Sequence, residues 1–186
     1  MTTGTTIKPL ATAGMAIGIG MGGFVDGIVF HQIFQIHNML SARIPTDSLV
    51  GAKVNMVWDG LFHTAVWIAT ATGIALLWKS VKRPDVRLSD KALSGSIVLG
   101  FGLFNLIEGL IDHHILNIHH VYERMGQSVW DYLFLASGIA MIRSDGACSA
   151  QHEQNWPLSL REKPNCADAF RNLASMPARY KAPATR

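Results

Sequence analysis

Four long apolar stretches alternate with polar segments along this chain, and each is long enough to form a helix. The predicted membrane spans are residues 10–37, 50–78, 92–120 and 127–143. The first three reach the roughly 20 residues that a helix needs to cross about 30 Å of hydrocarbon. The fourth is shorter, and we assign it as a span because it begins with the same phrase that occurs in the second. This pattern predicts an all-α fold, an integral membrane four-helix bundle over residues 1–143.

Polar residues inside the first and third stretches recur 82 residues apart along the chain, a separation that we call the repeat spacing. The pairs that define it are Asp26 and Glu108, His31 and His113, and His37 and His119. The second and fourth stretches share a Val-Trp-Asp phrase that ends at Asp59 and at Asp131. These matches predict two tandem helical-hairpin repeats, related by a pseudo-twofold axis along the membrane normal.

Charged residues make up 16% of the chain and apolar residues 49%, which is unusual for a soluble protein. Basic residues concentrate in the tail and in the loop between the second and third spans, where they are Lys79, Lys82, Arg83, Arg87 and Lys91. The positive-inside tendency then predicts a multi-pass protein of the bacterial inner membrane with both termini cytoplasmic. Residues 144–186 are polar and are predicted to form a loosely ordered cytoplasmic tail. Topology accounts for the net charge of +3, so no nucleic-acid partner is expected.

The ionisable residues of the spans are confined to one side of the predicted membrane. At about 1.5 Å per helical residue, Asp26 lies roughly 24 Å above Leu10 and His37 about 40 Å above it. The inner segments contain no Asp, Glu, Lys, Arg or His, and they are residues 10–25, 64–78, 92–107 and 132–142. A transporter or channel needs polar positions across the whole span, so a one-sided site facing outward is predicted instead.

Helical rotation groups several of these residues. At about 100° per residue, Asp26 and His37 fall within roughly 20° of each other on an α-helix. By the same geometry, His31 lies about 140° from Asp26 and faces a neighbouring helix, unless a glycine kink turns it. The stripe predicted on the second helix consists of Asn55, Asp59 and His63. In a four-helix bundle such stripes can converge on one interior.

Imidazoles combined with carboxylates are the ligands that Zn, Fe, Mn and Cu(II) accept, and the predicted spans contain no cysteine. We therefore predict a site for one or two transition-metal ions, either for metal handling or in a small metalloenzyme. The predicted ligands are Asp26, His31, His37, Asp59, His63, Glu108, Asp112, His113, His119 and His120. The residues predicted to orient them are Asn55, Asn105 and Asp131. Asp131 also fits a capping box with Ser128, in which it satisfies the start of a helix.

Three phrases resemble a bacterial family of four-helix membrane proteins whose activity is not known. They are Asp26-Gly-x-x-x-His31-Gln32, Trp58-Asp59-Gly60-Leu61-Phe62-His63 and Glu108-Gly109-x-x-Asp112-His113-His114. The resemblance covers roughly residues 10–143 and implies an integral membrane protein, without implying an activity.

Two alternatives to the metal site remain open from the sequence. A haem held between histidines of facing helices would make the chain an electron-transfer protein, although clustered carboxylates beside a haem are unexpected. In the second alternative, the acids and histidines bind no metal and instead clamp the helices together. Duplication of a hairpin would copy such a network in the same way as it would copy a metal site. The lipid bilayer and a metal ion are the predicted partners, and a homodimer is a further possibility.

Overall fold

The computed structural model describes residues 6–154, with side chains described as far as Ser144. It is all-α, with four helices in the described part of the chain. The helices are α1 (Lys8–Val25), α2 (Leu49–Val81), α3 (Asp90–Glu108) and α4 (Val129–Gln154). Residues 144–154 of the predicted tail belong to α4, and residues 155–186 lie outside the described residues.

Two π-helical segments continue α1 and α3 without a break. The first π segment covers Asp26–Ile33 and the second covers Gly109–Ile115. A short 3-10 helix, Glu123–Met125, lies in the loop before α4. Serine side chains start two of the helices: Ser48 accepts a hydrogen bond from the Gly51 amide, and Ser89 accepts one from the Ala92 amide. Such caps satisfy amides that the first helical turn leaves without partners.

Three helices are long and apolar enough to cross a membrane: Lys8–Ile33, Leu49–Val81 and Asp90–Ile115, when each π segment is counted with its helix. At 33 residues, α2 is about 50 Å long and exceeds the hydrocarbon thickness. The fourth helix is not among these candidates, and its span over residues 127–143 stays a prediction.

Glycines let the helices approach closely. A Cβ on Gly18 of α1 would collide with the backbone of α3 at Ile97, and a Cβ on Gly100 of α3 would collide with the α1 backbone at Met15. The repeat spacing relates these two contacts in both partners. Gly20 lies in the same way against Val66 of α2. Close backbone approach at small residues is typical of helix packing in membranes.

The buried interior of the described chain is unusually polar. Among its large hydrophobic residues, Leu10, Val66 and Val86 are buried, whereas Trp67, Ile74 and many others on the helix surfaces are exposed. A soluble protein would place those surface residues in a core, so this distribution fits helices surrounded by lipid. The buried polar residues gather at the ends of α1 and α3, around the π segments.

Candidate metal centre

The π segments place a histidine next to each helix-terminal acid. His31 Nε2 lies 3.2 Å from Asp26 Oδ2, and His113 Nε2 lies 3.1 Å from Glu108 Oε1. The wide angular separation predicted for His31 and Asp26 is wrong, because it assumes α-helical geometry. Hydrogen bonds from residue i to i+5 in a π-helix widen the turn, so residues five apart face one another. Such insertions often occur at functional sites.

A reversal of the chain returns a second histidine to each acid. Gln35 and Asn117, which the repeat spacing relates, adopt left-handed backbone angles with φ of 50° and 47°. Few residues other than glycine adopt this conformation, and asparagine is enriched among them. After these turns, His119 Nε2 lies 2.9 Å from Glu108 Oε1, and His37 Nε2 lies 3.7 Å from Asp26 Oδ1.

Six side chains thus form one compact group, which we call the histidine–carboxylate cluster. Its members are Asp26, His31, His37, Glu108, His113 and His119. Their relative exposure ranges from 0 to 6%, and the recorded distances between the centroids of the four imidazole rings range from 4.6 to 6.3 Å. Two triads in the described chain have donor atoms close enough together to hold a metal ion: His31, His37 and His119, and Glu108, His113 and His119.

The outer nitrogen of each cluster histidine faces an oxygen acceptor. His31 Nδ1 lies 2.9 Å from Asp59 Oδ1 and donates to it, while His113 Nδ1 lies 3.2 Å from Asp131 Oδ1 at a poorer hydrogen-bonding angle. The other two histidines use backbone carbonyls. His37 Nδ1 donates to Val121 O at 3.0 Å, and His119 Nδ1 donates to Met39 O at 3.2 Å. Ligating histidines typically donate their second N–H group in this manner.

Each histidine that donates through Nδ1 keeps Nε2 free of a proton when it is neutral, so that Nε2 presents a lone pair to the cluster. The two histidines beyond the candidate spans differ in acidity. Burial lowers the pKa of His37, which favours its neutral form. Burial also opposes the charged form of His119, but its hydrogen bond to Glu108 and the negative charges of Glu108 and Asp26 together outweigh burial and raise its pKa.

Asp59 and Asp131 hold both a histidine and the loop above it. Oδ1 of Asp59 also accepts from the Met39 amide at 2.9 Å, and Oδ1 of Asp131 accepts from the Val121 amide at 3.0 Å. The repeat spacing also separates Met39 from Val121. Oδ2 of Asp131 accepts from the Ser128 amide at 2.8 Å, which is the predicted capping contact. Asp59 therefore fixes the His31 ring and the chain above it together, whereas Asp131 fixes the chain through the Val121 and Ser128 amides and lies beside the His113 ring.

Several buried nitrogen and oxygen atoms of the cluster have no hydrogen-bond partner in the described chain. They are His31 Nε2, His37 Nε2, His113 Nδ1, His113 Nε2 and Glu108 Oε2. The four nitrogens lie near carboxylate oxygens, but not in hydrogen-bonding geometry. Unpartnered buried polar groups are rare because each costs about 1–3 kcal/mol. Their convergence leaves several donor atoms available at one place, and the donor set suits a transition metal.

The structure brings only part of the predicted site together. The ring of His63 packs against Gly27, and its Nδ1 donates to the carbonyl of Asp59 in its own helix. Asp112 is half-buried at the edge, where its charge interacts with those of Glu108 and His119.

Three other predicted residues also lie beside the cluster or below it. His120 Nδ1 lies 3.6 Å from Asp131 Oδ1. Asn55 accepts from the Leu40 amide and so ties the loop to α2. Asn105 donates to Ser137 of α4, below the cluster.

Sequence reasoning missed the contributions of the two loops. The carbonyls and amides of Met39 and Val121 contact the site through the backbone, which leaves no signal in residue type. A side-chain contact, Ser41 Oγ donating to Glu123 Oε2 at 2.8 Å, joins the loops across the cluster. Ser41 and Glu123 are themselves related by the repeat spacing, so the repeat could have revealed this pair.

The fold and the site together define a helical membrane protein with a buried cluster of histidines and carboxylates at one end of its bundle. The chain belongs to a family of predicted membrane proteins known as DUF2243, whose sequence profile matches residues 13–151. The family resemblance predicted from the three phrases is thereby confirmed. No curated protein and no solved structure matches the chain.

Proposed function

We propose that this protein binds transition-metal ions in the histidine–carboxylate cluster, either as a metal-handling factor or as a small metalloenzyme. The observation that carries this proposal is the convergence of unpartnered Nε2 atoms on two buried carboxylates. Imidazole and carboxylate ligands suit Zn, Fe, Mn and Cu(II). A metal bound there would supply Lewis-acid or redox chemistry, while Asp59 and Asp131 would hold the imidazoles in their ligating orientation.

We further propose that the two halves of the bundle are duplicated hairpins related by a twofold axis along the membrane normal. The contacts that recur at the repeat spacing support this arrangement. They include the glycine contacts between α1 and α3, the two left-handed turns and the reciprocal bonds of His37 and His119. With both termini cytoplasmic, the cluster would face the periplasmic side of a bacterial inner membrane.

The geometry argues against the haem alternative. A porphyrin would have to fit between two facing imidazoles, yet the ring centroids of His31 and His119 are 5.6 Å apart and those of His37 and His119 are 4.9 Å apart. Carboxylates also occupy the positions next to the Nε2 atoms. A metal-free clamp is disfavoured for another reason, since it would leave those nitrogens buried without hydrogen bonds.

Elemental analysis and a visible spectrum of the detergent-purified protein, expressed in metal-replete medium, test the proposal. We expect one or two equivalents of a transition metal in the wild type and none in the Asp26→Ala/Glu108→Ala double variant. His114→Gln is the matched control, because His114 adjoins His113 in the second π segment and corresponds to Gln32 in the first. It should retain the metal. A Soret band would favour haem, and a folded wild type without metal or haem would leave the clamp.

A further inference from the structure

We propose that the cluster holds two metal ions, one in each of two symmetry-related triads. The first triad is Asp26, His31 and His37, in which Asp26 replaces the His119 of the three-histidine set described above. The second triad is Glu108, His113 and His119. This inference rests on the proposed function, and it adds the number of ions and the ligands of each.

The donor atoms converge at two points. In the second triad, Oε1 of Glu108 lies 3.1 Å from His113 Nε2 and 2.9 Å from His119 Nε2. In the first triad, Asp26 directs Oδ2 at His31 Nε2 at 3.2 Å and Oδ1 at His37 Nε2 at 3.7 Å. Each carboxylate therefore faces the two histidines of its own half. The sequence supports the same division, because each half carries an acid followed by histidines at the same two positions after it.

A single ion accounts for these atoms less well. One ion held by His31, His37 and His119 would use an allowed set of donors. It would leave His113 Nε2 and Glu108 Oε2 buried without partners, and both already lack hydrogen bonds. Two ions, one beside each carboxylate, give every inward-facing nitrogen a ligand role.

The buried charge also matches two divalent ions. Four carboxylates adjoin the four histidines: Asp26, Asp59, Glu108 and Asp131, each at most 6% exposed. The buried charged groups in the described part of the chain include no lysine or arginine. Uncompensated charges in a low-dielectric interior cost several kcal/mol each. Four negative charges are balanced by two divalent ions.

The division has a chemical consequence. A triad of two histidines and one carboxylate supplies three ligands, which leaves positions open on a four- to six-coordinate ion. Closed structural sites use four protein ligands, whereas open positions are typical of ions that react.

Titration of the metal-free protein with Co²⁺, followed by the visible absorption of bound Co²⁺ and by equilibrium dialysis, tests the proposal. We expect two equivalents per chain in the wild type and one equivalent in each matched single variant, His37→Gln and His119→Gln. His114→Gln should still bind two. The wild-type stoichiometry decides the question even where a variant fails to fold.

The outcomes separate this inference from the proposed function. One equivalent in the wild type, or complete loss of Co²⁺ from either folded single variant, would overturn the two-triad proposal and leave a mononuclear centre. No uptake by the folded wild type would overturn the metal site itself.

Discussion

The substitution Asp59→Asn tests whether the buried aspartates tune the metal centre through the histidines. Oδ1 of Asp59 accepts from His31 Nδ1 and from the Met39 amide, both at 2.9 Å, and Oδ2 accepts from Asn38 at 2.8 Å. An asparagine keeps one acceptor oxygen but loses the charge. Its NH₂ group would also face a donor, either the side-chain amide of Asn38 or His31 Nδ1.

The expected effect is a metal affinity reduced about 10- to 100-fold, which corresponds to roughly 1.4–2.8 kcal/mol. This range applies to residues that orient a ligating histidine without touching the metal. Loss of the charge lowers the basicity of the His31 imidazole. The NH₂ group of the new asparagine replaces one of the two Asp59 oxygens, faces a hydrogen-bond donor there, and so strains the loop above it. The number of ions bound at saturation should stay unchanged, because all six cluster residues remain.

Competition between the protein and a chromophoric chelator for Zn²⁺ in detergent measures this ratio of dissociation constants. Asp85→Asn is the matched control, since Asp85 forms an ion pair with Arg83 at 2.7 Å, away from the cluster. It should bind Zn²⁺ as the wild type does. An affinity within threefold of the wild type for Asp59→Asn would refute the orienting role. Loss of an ion at saturation would instead make Asp59 a ligand.

Two further substitutions test the packing and the approach to the site. Gly18→Ala should lower the thermal midpoint in detergent, because the new methyl group meets the α3 backbone at Ile97 and overpacking costs about 1–3 kcal/mol. Gly60→Ala is the control, because its methyl group meets nothing within 4 Å, and its gain in helix propensity of about 1 kcal/mol should raise the midpoint. Equal shifts of the midpoint in the two variants would contradict the close crossing of α1 and α3 at Gly18. Asp112→Phe copies the equivalent Phe30 and removes a charge at the edge of the cluster, so stopped-flow uptake of Co²⁺ should slow about tenfold with unchanged stoichiometry. An unchanged rate would place the approach elsewhere.

The sequence was sufficient to predict that acids and histidines from both halves of the chain come together, although only six of the ten predicted ligands form the cluster, and the reason is physical. Acids and histidines are costly inside apolar helices, so their presence at Asp26 and Glu108 marks a site, and the repeat spacing pairs them. The match to the family confirms a membrane protein, and the helices confirm an all-α fold.

The local backbone could not be predicted in the same way. The sequences of the π segments carry no clear mark of i to i+5 bonding, so α-helical geometry gave a wrong angle between His31 and Asp26. The carbonyls that orient His37 and His119 belong to Val121 and Met39, whose side chains have no role in those bonds. Such contacts depend on the path of the loops, which hydrophobic patterning does not determine.

The reciprocal bonds between the loops have a consequence for biosynthesis. His37 is oriented by the carbonyl of Val121, and His113 lies against Asp131 at the start of α4. A nascent chain that has inserted only its first hairpin therefore carries one acid and two histidines without the partner that orients His37. If the cluster binds metal as proposed, stable loading would require the loop before α4 to be in place, because that loop supplies the carbonyl that orients His37. Full metal occupancy would then report that the two halves of the bundle have come together.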